Sequence, residues 1–350
     1  MIVTFFVIGT SILIIPGSIA SEAKQDAWIT CIIGILLNLL LVKLYITVGN
    51  LAPEMSLVEV SEQVLGKWFG KLLSFTFFLF SFITAGELVY IVSNFLRTEV
   101  MPETHAYPIN ILFILVIVYG SYLGLETIAR TGELLFPIFV LLFTIFVILI
   151  SPQIDAKQFQ PILETQLKPL VYSVLIFSST FSLPLVVMLM LFPVSINDKK
   201  VAQNAFYIGT ILGGFVLLII VSLSISVLGA DETSVRSFPS YALAQGISLG
   251  NFIDRIEIIM ASMWFITIFI KTLFYFYAAV IGLGQILKVK DHRSLILPLG
   301  MILVVVSLII HPSVVHSNEY NKDTWILYVS VYGLFLPLLL MMVNKIRKVF

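Results

Sequence analysis

The 350-residue sequence has a single cysteine, Cys31, few charges, and no long run of either sign. One thiol can build neither a disulfide framework nor a cysteine-based metal site within one chain. Charged residues make up 11% of the chain, against roughly 25% in soluble domains. No basic block or aromatic-interleaved patch is present, so the charge pattern gives no sign of nucleic acid as a partner. The four histidines, His105, His292, His311 and His316, fall mostly in loops or at the ends of apolar runs. An HExxH pair, paired intramembrane aspartates, a Walker A loop and a dinucleotide fingerprint are all missing. The expectation is a protein that is not an enzyme and carries no cofactor or metal.

Apolar side chains are what the sequence has in quantity, at 59% of all residues. A membrane-spanning helix needs about 20 of them in succession. Ten segments qualify, at about 1–20, 27–49, 69–96, 107–123, 134–151, 170–193, 205–229, 253–287, 295–311 and 324–344. The expected fold is therefore an all-α membrane protein with ten transmembrane helices in one domain over residues 1–350. Segment one lacks a basic n-region and is expected to stay as a helix rather than be cleaved as a signal. Segment eight would form a rod of roughly 50 Å, longer than the ~30 Å hydrocarbon core, so it must tilt or project. With the N-terminus inside, twelve Lys and Arg fall on the inner side and seven on the outer. That bias places both termini in the cytoplasm.

Segment six, KPLVYSVLIFSSTFSLPLVVMLMLFP (Lys168 to Pro193), is apolar enough to span yet broken in its middle. Pro184 lacks an amide hydrogen and clashes with the preceding turn, so the helix should kink or unwind beside Ser178, Ser179, Thr180 and Ser182. Non-helical backbone at that depth persists only where it is buried in protein or lines a polar cavity, which makes this stretch a candidate binding-site wall. The alternative is an ordinary proline kink whose hydroxyls bond back to their own helix. Segment one carries a matching interruption, Gly9-Thr10-Ser11 followed by Pro16-Gly17.

A faint repeat supports pairing these two segments. PEMSLVEVSEQVLGKWFGKL (Pro53 to Leu72) and PSYALAQGISLGNFIDRIEI (Pro239 to Ile258) each open with proline, run amphipathically to Leu-Gly (Leu65-Gly66, Leu249-Gly250) and feed a long span. Repeats of about 1–151 and 168–345 with five spans each would have opposite orientations, a 5+5 inverted repeat. Paired interruptions in such halves point to a midplane site.

Two ionisable residues lie deep in apolar runs. Lys271, in the middle of segment eight, costs about 2.5 to 3.5 kcal/mol at a helix centre and must face the protein interior. It reads either as a structural lysine on carbonyls of a kinked neighbour, or as a functional ammonium standing in for a coupling cation or meeting a substrate carboxylate. Tyr275, one turn on, shares its face. Glu87 in segment three is the natural partner for Lys271, with Thr84 one turn earlier. Glu126, Arg130 and Glu133 read as a solvated helix face.

The broken first helix, SEAKQDAW (Ser21 to Trp28), LGKWFGKLLS, ETIARTGELLFP, the MLMLFP end of segment six, and PSYALAQGISLGNFIDRIE with KTLFYFYAAVIGLGQ form a specific combination. Together they resemble the spore germination permeases, the B subunits of GerA-type germinant receptors, over essentially the whole chain. The resemblance implies a LeuT-like ten-span inverted repeat of the amino acid, polyamine and organocation transporter type. It also implies the inner membrane of an endospore, A and C receptor subunits as partners, and sensing of a small germinant, often an amino acid. Carried onto this chain, the pocket would comprise Gly9, Thr10, Ser11, Glu87, Ser178, Ser179, Thr180, Ser182, Lys271 and Tyr275. The chain departs from the family where relatives begin some residues earlier, so that span one here is expected to be short, and where many have Gly-Glu in place of Leu183-Pro184. The other readings are a secondary solute transporter working by alternating access, and a scaffold or channel-like subunit.

Overall fold

The computed structural model describes residues 1–192, 194–195, 198–246 and 255–349, and all regular structure among them is helical. In chain order the helices are α1 (Ile2–Ile8), α2 (Ser11–Ala23), α3 (Ala27–Gly49), α4 (Leu57–Leu65), α5 (Lys67–Phe95), α6 (Ala106–Leu123), α7 (Leu125–Ile150) and α8 (Leu167–Phe181). Then follow α9 (Lys199–Leu228), α10 (Ala230–Val235), α11 (Pro239–Gln245), α12 (Glu257–Leu287), α13 (Ile296–Ile309), α14 (Val314–Glu319), α15 (Trp325–Ser330) and α16 (Leu336–Val349). Among the described residues, nine helical stretches are long and apolar enough to cross a membrane. The chain is an all-helical, multi-pass membrane protein. The sequence reading counts ten spans, and the difference lies at the start, where Ser11–Gly49 forms one stretch of 39 residues. At 1.5 Å per residue that stretch would run about 58 Å, nearly twice a hydrocarbon core. A 3₁₀ turn at Lys24–Asp26, with Lys24 at φ 48°, interrupts it between the first two expected segments.

The chain folds as two compact units. One comprises Met1–Leu40, Arg130–Ser182 and Phe206–Ile270, and the other Leu41–Ala129, Leu183–Ala205 and Lys271–Phe350. Each draws residues from both expected repeats. Of the paired repeat motifs, Pro53 to Leu72 forms α4 and the start of α5, and Pro239 opens α11. Leu249-Gly250, and Pro193 at the expected end of segment six, lie outside the described residues.

In the first unit α2 packs against α8, α10 and α11. The sequence predicts an interruption at Pro16-Gly17, but α2 runs unbroken through both residues. The reason is a replacement partner. A helical proline removes the bond to the carbonyl four residues back, here that of Ile12, and the buried Ser240 hydroxyl donates to that carbonyl at 2.6 Å. Gly17 lets the chain that brings Ser240 approach closely, since a Cβ there would lie 3.1 Å from the Thr233 carbonyl oxygen and 3.2 Å from that of Arg236. Ser240→Ala should therefore destabilise the protein by about 1 to 3 kcal/mol, the cost of one orphaned buried acceptor. Adding Pro16→Ala, which restores the helical donor, should recover most of that loss. Equal instability of the single and double variants in a micelle unfolding assay would refute this account.

In the second unit α4 and α5 pack together, and α5 also packs against α6 and α13. α4 starts at a capping box: the Ser56 hydroxyl accepts from the Glu59 amide while the Glu59 carboxylate accepts from the Ser56 amide. A buried bond from the Asn110 amide to the Ser307 hydroxyl, 2.9 Å, ties α6 to α13. Glu126, Arg130 and Glu133 are exposed along α7, as a solvated helix face requires.

Candidate functional site

In the first unit both expected interruptions are real breaks in helix. α1 ends at Ile8 and α2 begins at Ser11, leaving Gly9 and Thr10 between them. α8 ends at Phe181 with Ser182 as its cap, and the chain continues as a 3₁₀ helix, Leu183–Met190. Pro184 is the local cause, because it cannot donate to the Thr180 carbonyl four residues back. That carbonyl instead accepts from the Ser11 hydroxyl at 3.2 Å. The hydroxyl at the start of one broken helix thus takes over the helical bond missing from the other. The Gly9 carbonyl accepts a long bond, 3.4 Å, from Thr267 of α12. Ser182 donates to the side-chain oxygen of Asn38 in α3, leaving the Asn38 amide nitrogen buried with no hydrogen-bond partner among the described residues.

Two hydroxyls of the broken segment also bond back onto α8. Ser179 donates to the Ile176 carbonyl at 2.8 Å, and Thr180 shares its hydroxyl between the carbonyls of Ile176 and Phe177 at 3.4 and 3.3 Å. The Ser178 carbonyl accepts the Ser182 amide at 3.2 Å. Ser11, Ser182, and the Gly9 and Thr180 carbonyls each reach another helix.

Glu87, Lys271 and Tyr275 belong to the second unit, where they join a buried ionisable cluster. Glu87 is 3% exposed, Lys271 2% and Tyr275 0%. Such burial of a carboxyl and an amine is tolerated only where opposite charge or hydrogen bonds compensate it. Glu87 acts electrostatically on Lys271, Tyr275, Tyr320 and Tyr328. On α5, one turn or two before Glu87, the hydroxyls of Thr84 and Ser81 are buried without hydrogen-bond partners among the described residues. The Tyr275 ring meets Phe80 edge-on at 6.1 Å between centroids.

The cluster has a member that the sequence reading leaves at a span end. His311, in the connection between α13 and α14, is 4% exposed and places Nε2 at 3.8 Å from Glu87 Oε1. Its other ring nitrogen, Nδ1, lies 3.1 Å from Nδ1 of His316. The rings of Tyr90 and Tyr320 pack against it at 4.9 and 5.3 Å. Asn38 and Thr267 were likewise not singled out in the sequence. Asn38 had a signal, as a lone amide inside ILLNLLL. His311 had none, because residues 87 and 311 meet only through the fold.

The comparisons with known proteins agree with this architecture. Residues 1–315 match the sequence family described as "Spore germination protein". The chain is 30% identical to Spore germination protein KB of Bacillus subtilis (strain 168) over 354 residues, covering 99% of this chain and 93% of the relative. It is 25% identical to Spore germination protein A2 of the same organism, covering 99% of this chain and 94% of the relative. Spore germination protein GerLB of Bacillus cereus is 24% identical, with 98% and 91% covered. An all-helical chain with apolar, membrane-length helices that matches this family over nine-tenths of its length is a member of it, and the protein belongs to the spore germination permease family.

Proposed function

We propose that this protein is the integral-membrane subunit of a spore germinant receptor, binding a small nutrient such as an amino acid at the break between α1, α2 and α8. The carrying observation is the junction of the two interrupted helices, where the Ser11 hydroxyl meets the Thr180 carbonyl and the Asn38 amide nitrogen is buried without a partner. Backbone freed from helical bonding inside an apolar protein has polar groups to offer a ligand. An amino acid carries both a donor and an acceptor at its α-carbon and fits such a set. Binding signals only if the ligand prefers one state of the helices over another, and that preference would pass to partner subunits of the A and C type. The relatives' role in germination supports residence in the spore's inner membrane, and the Lys and Arg bias supports cytoplasmic termini.

The test is thermal stabilisation of the purified full chain by a panel of amino acids and sugars. A ligand at 100 times its Kd stabilises by about 2.7 kcal/mol. The expected result is a shift for one chemical class that is lost in Asn38→Leu and Ser11→Ala. No shift for any compound, or a shift that both variants retain, would sink this site. Lys271→Met in the same assay asks whether the second unit's residues contribute. The observation that favours a transporter instead is Lys271 itself, an ammonium where a coupling cation could sit. Solute flux into vesicles by this chain alone would decide for that reading.

A further inference from the structure

The chain from His316 through His311 to Glu87 runs from solvent into the protein. His316 is exposed on α14, and its backbone amide is fixed by donating to the Ser313 hydroxyl at 3.2 Å. Its Nδ1 faces His311 Nδ1 at 3.1 Å, so the two rings share one proton between these nitrogens. His311 is buried, and its Nε2 has no hydrogen-bond partner among the described residues while standing 3.8 Å from the Glu87 carboxyl. That gap is too long for a hydrogen bond and too short to hold a bridging water between two bonds of ordinary length. A rotation of Glu87 that closes it by about 1 Å completes the line.

Other titratable groups surround these three. The charge of Glu87 acts on Lys271 and Tyr275 of α12 and, beyond α14, on Tyr320 and Tyr328. On α5 itself Tyr90 packs on the His311 ring, with Arg97 acting on Tyr90 in turn. α13 contributes no titratable side chain to its contact with α5, and the tyrosines of α6, Tyr107, Tyr119 and Tyr122, are exposed. Glu59 and Glu62 of α4 lie toward the start of α5, where Ser74 bonds to the Val58 carbonyl.

We propose that His316 and His311 form a proton-access path from the protein surface to a buried proton-binding site at Glu87. A proton from water joins His316 Nε2; the proton on its Nδ1 passes to His311 Nδ1; the proton on His311 Nε2 passes to Glu87 Oε1. One proton has entered, the carboxyl has become neutral, and each imidazole has exchanged its tautomer. Release by the reverse steps, or rotation of the rings, resets the path. Occupation removes the negative charge beside Lys271, so proton binding here rebalances the whole buried cluster. The inference does not depend on germinant binding.

The test uses time-resolved infrared spectroscopy of the purified full chain in lipid nanodiscs after a rapid drop in pH. The expected result is a protonated-carboxyl band that appears in the wild type and is missing in Glu87→Gln. His316→Gln, an exposed substitution that leaves the buried cluster intact, should slow the appearance of that band without changing its final size. The expected slowing is on the order of a hundredfold, the lower end of what a positioned proton-transfer group contributes. Absence of any Glu87-dependent band would overturn the binding site. A band that rises equally fast in His316→Gln would overturn the path, and this arm remains readable even if Glu87→Gln does not fold.

Discussion

Glu87→Gln is expected to lower the unfolding free energy of the full chain in mixed micelles by about 3 to 5 kcal/mol, the usual cost of removing one partner from a buried charge cluster. The size follows from burial: Glu87 and Lys271 are almost completely removed from solvent, and the Glu87 carboxyl acts on Lys271. Lys271→Met should cost less, because a thioether of similar length fills the space without leaving a polar tip unpaired, although it takes the cation away from the carboxyl. The double variant decides whether the two residues act together. Its loss should fall short of the sum of the single losses by roughly 0.5 to 3 kcal/mol, the range found for residues in contact. Replacing a whole buried pair by uncharged groups is often close to neutral, which is the physical reason for the shortfall. Additive losses would mean that Glu87 and Lys271 are buried for separate reasons.

How much of this was legible in the sequence depended on whether the cause was local. Pro184 announces a break, and the helix ends at Phe181 just ahead of it, because a missing amide hydrogen acts on the turn that contains it. Lys271 and Glu87 announce themselves by their cost in an apolar run, wherever the fold puts them. Pro16 gave the opposite lesson. The same chemistry predicts a break there, yet Ser240, 228 residues later, supplies the donor and the helix continues. The position of His311 beside Glu87 and of Tyr45 beside Leu183 and Gly333 is equally non-local, fixed by how helices pack and not by any periodicity within them. The count of spans differs at one place: Ser11–Gly49 counts as a single helical stretch, although the 3₁₀ turn at Lys24–Asp26 divides it between the first two expected segments.

Gly333→Ala is expected to disturb the seat between two irregular turns of the second unit. Gly333 sits in a π-helical turn, Val331–Phe335, that packs against the 3₁₀ segment Leu183–Met190. A Cβ at this position would lie 2.6 Å from the Leu183 carbonyl oxygen and 3.0 Å from its Cα. These are backbone atoms, so no rotamer change relieves the overlap and one segment must move. Both segments depart from α-helical bonding, and a single hydroxyl serves the carbonyls they free: Tyr45 donates to Gly333 at 2.7 Å and, more weakly, to Leu183 at 3.1 Å. A displacement that separates the two carbonyls therefore also breaks this shared bond. The expected loss for Gly333→Ala is about 3 kcal/mol, the upper end for overpacking a tight site. Tyr45→Phe, which keeps the ring and removes only the donor, should cost about 1 to 3 kcal/mol. Combined with Gly333→Ala it should add little, since the bond is already gone. Trimming Leu183 to alanine should not rescue Gly333→Ala, because the clashing oxygen and Cα remain. Wild-type stability of Gly333→Ala in the micelle assay would show that the 3₁₀ segment can slide, and the tight seat between these two irregular turns would then not be what fixes the second half of the broken helix.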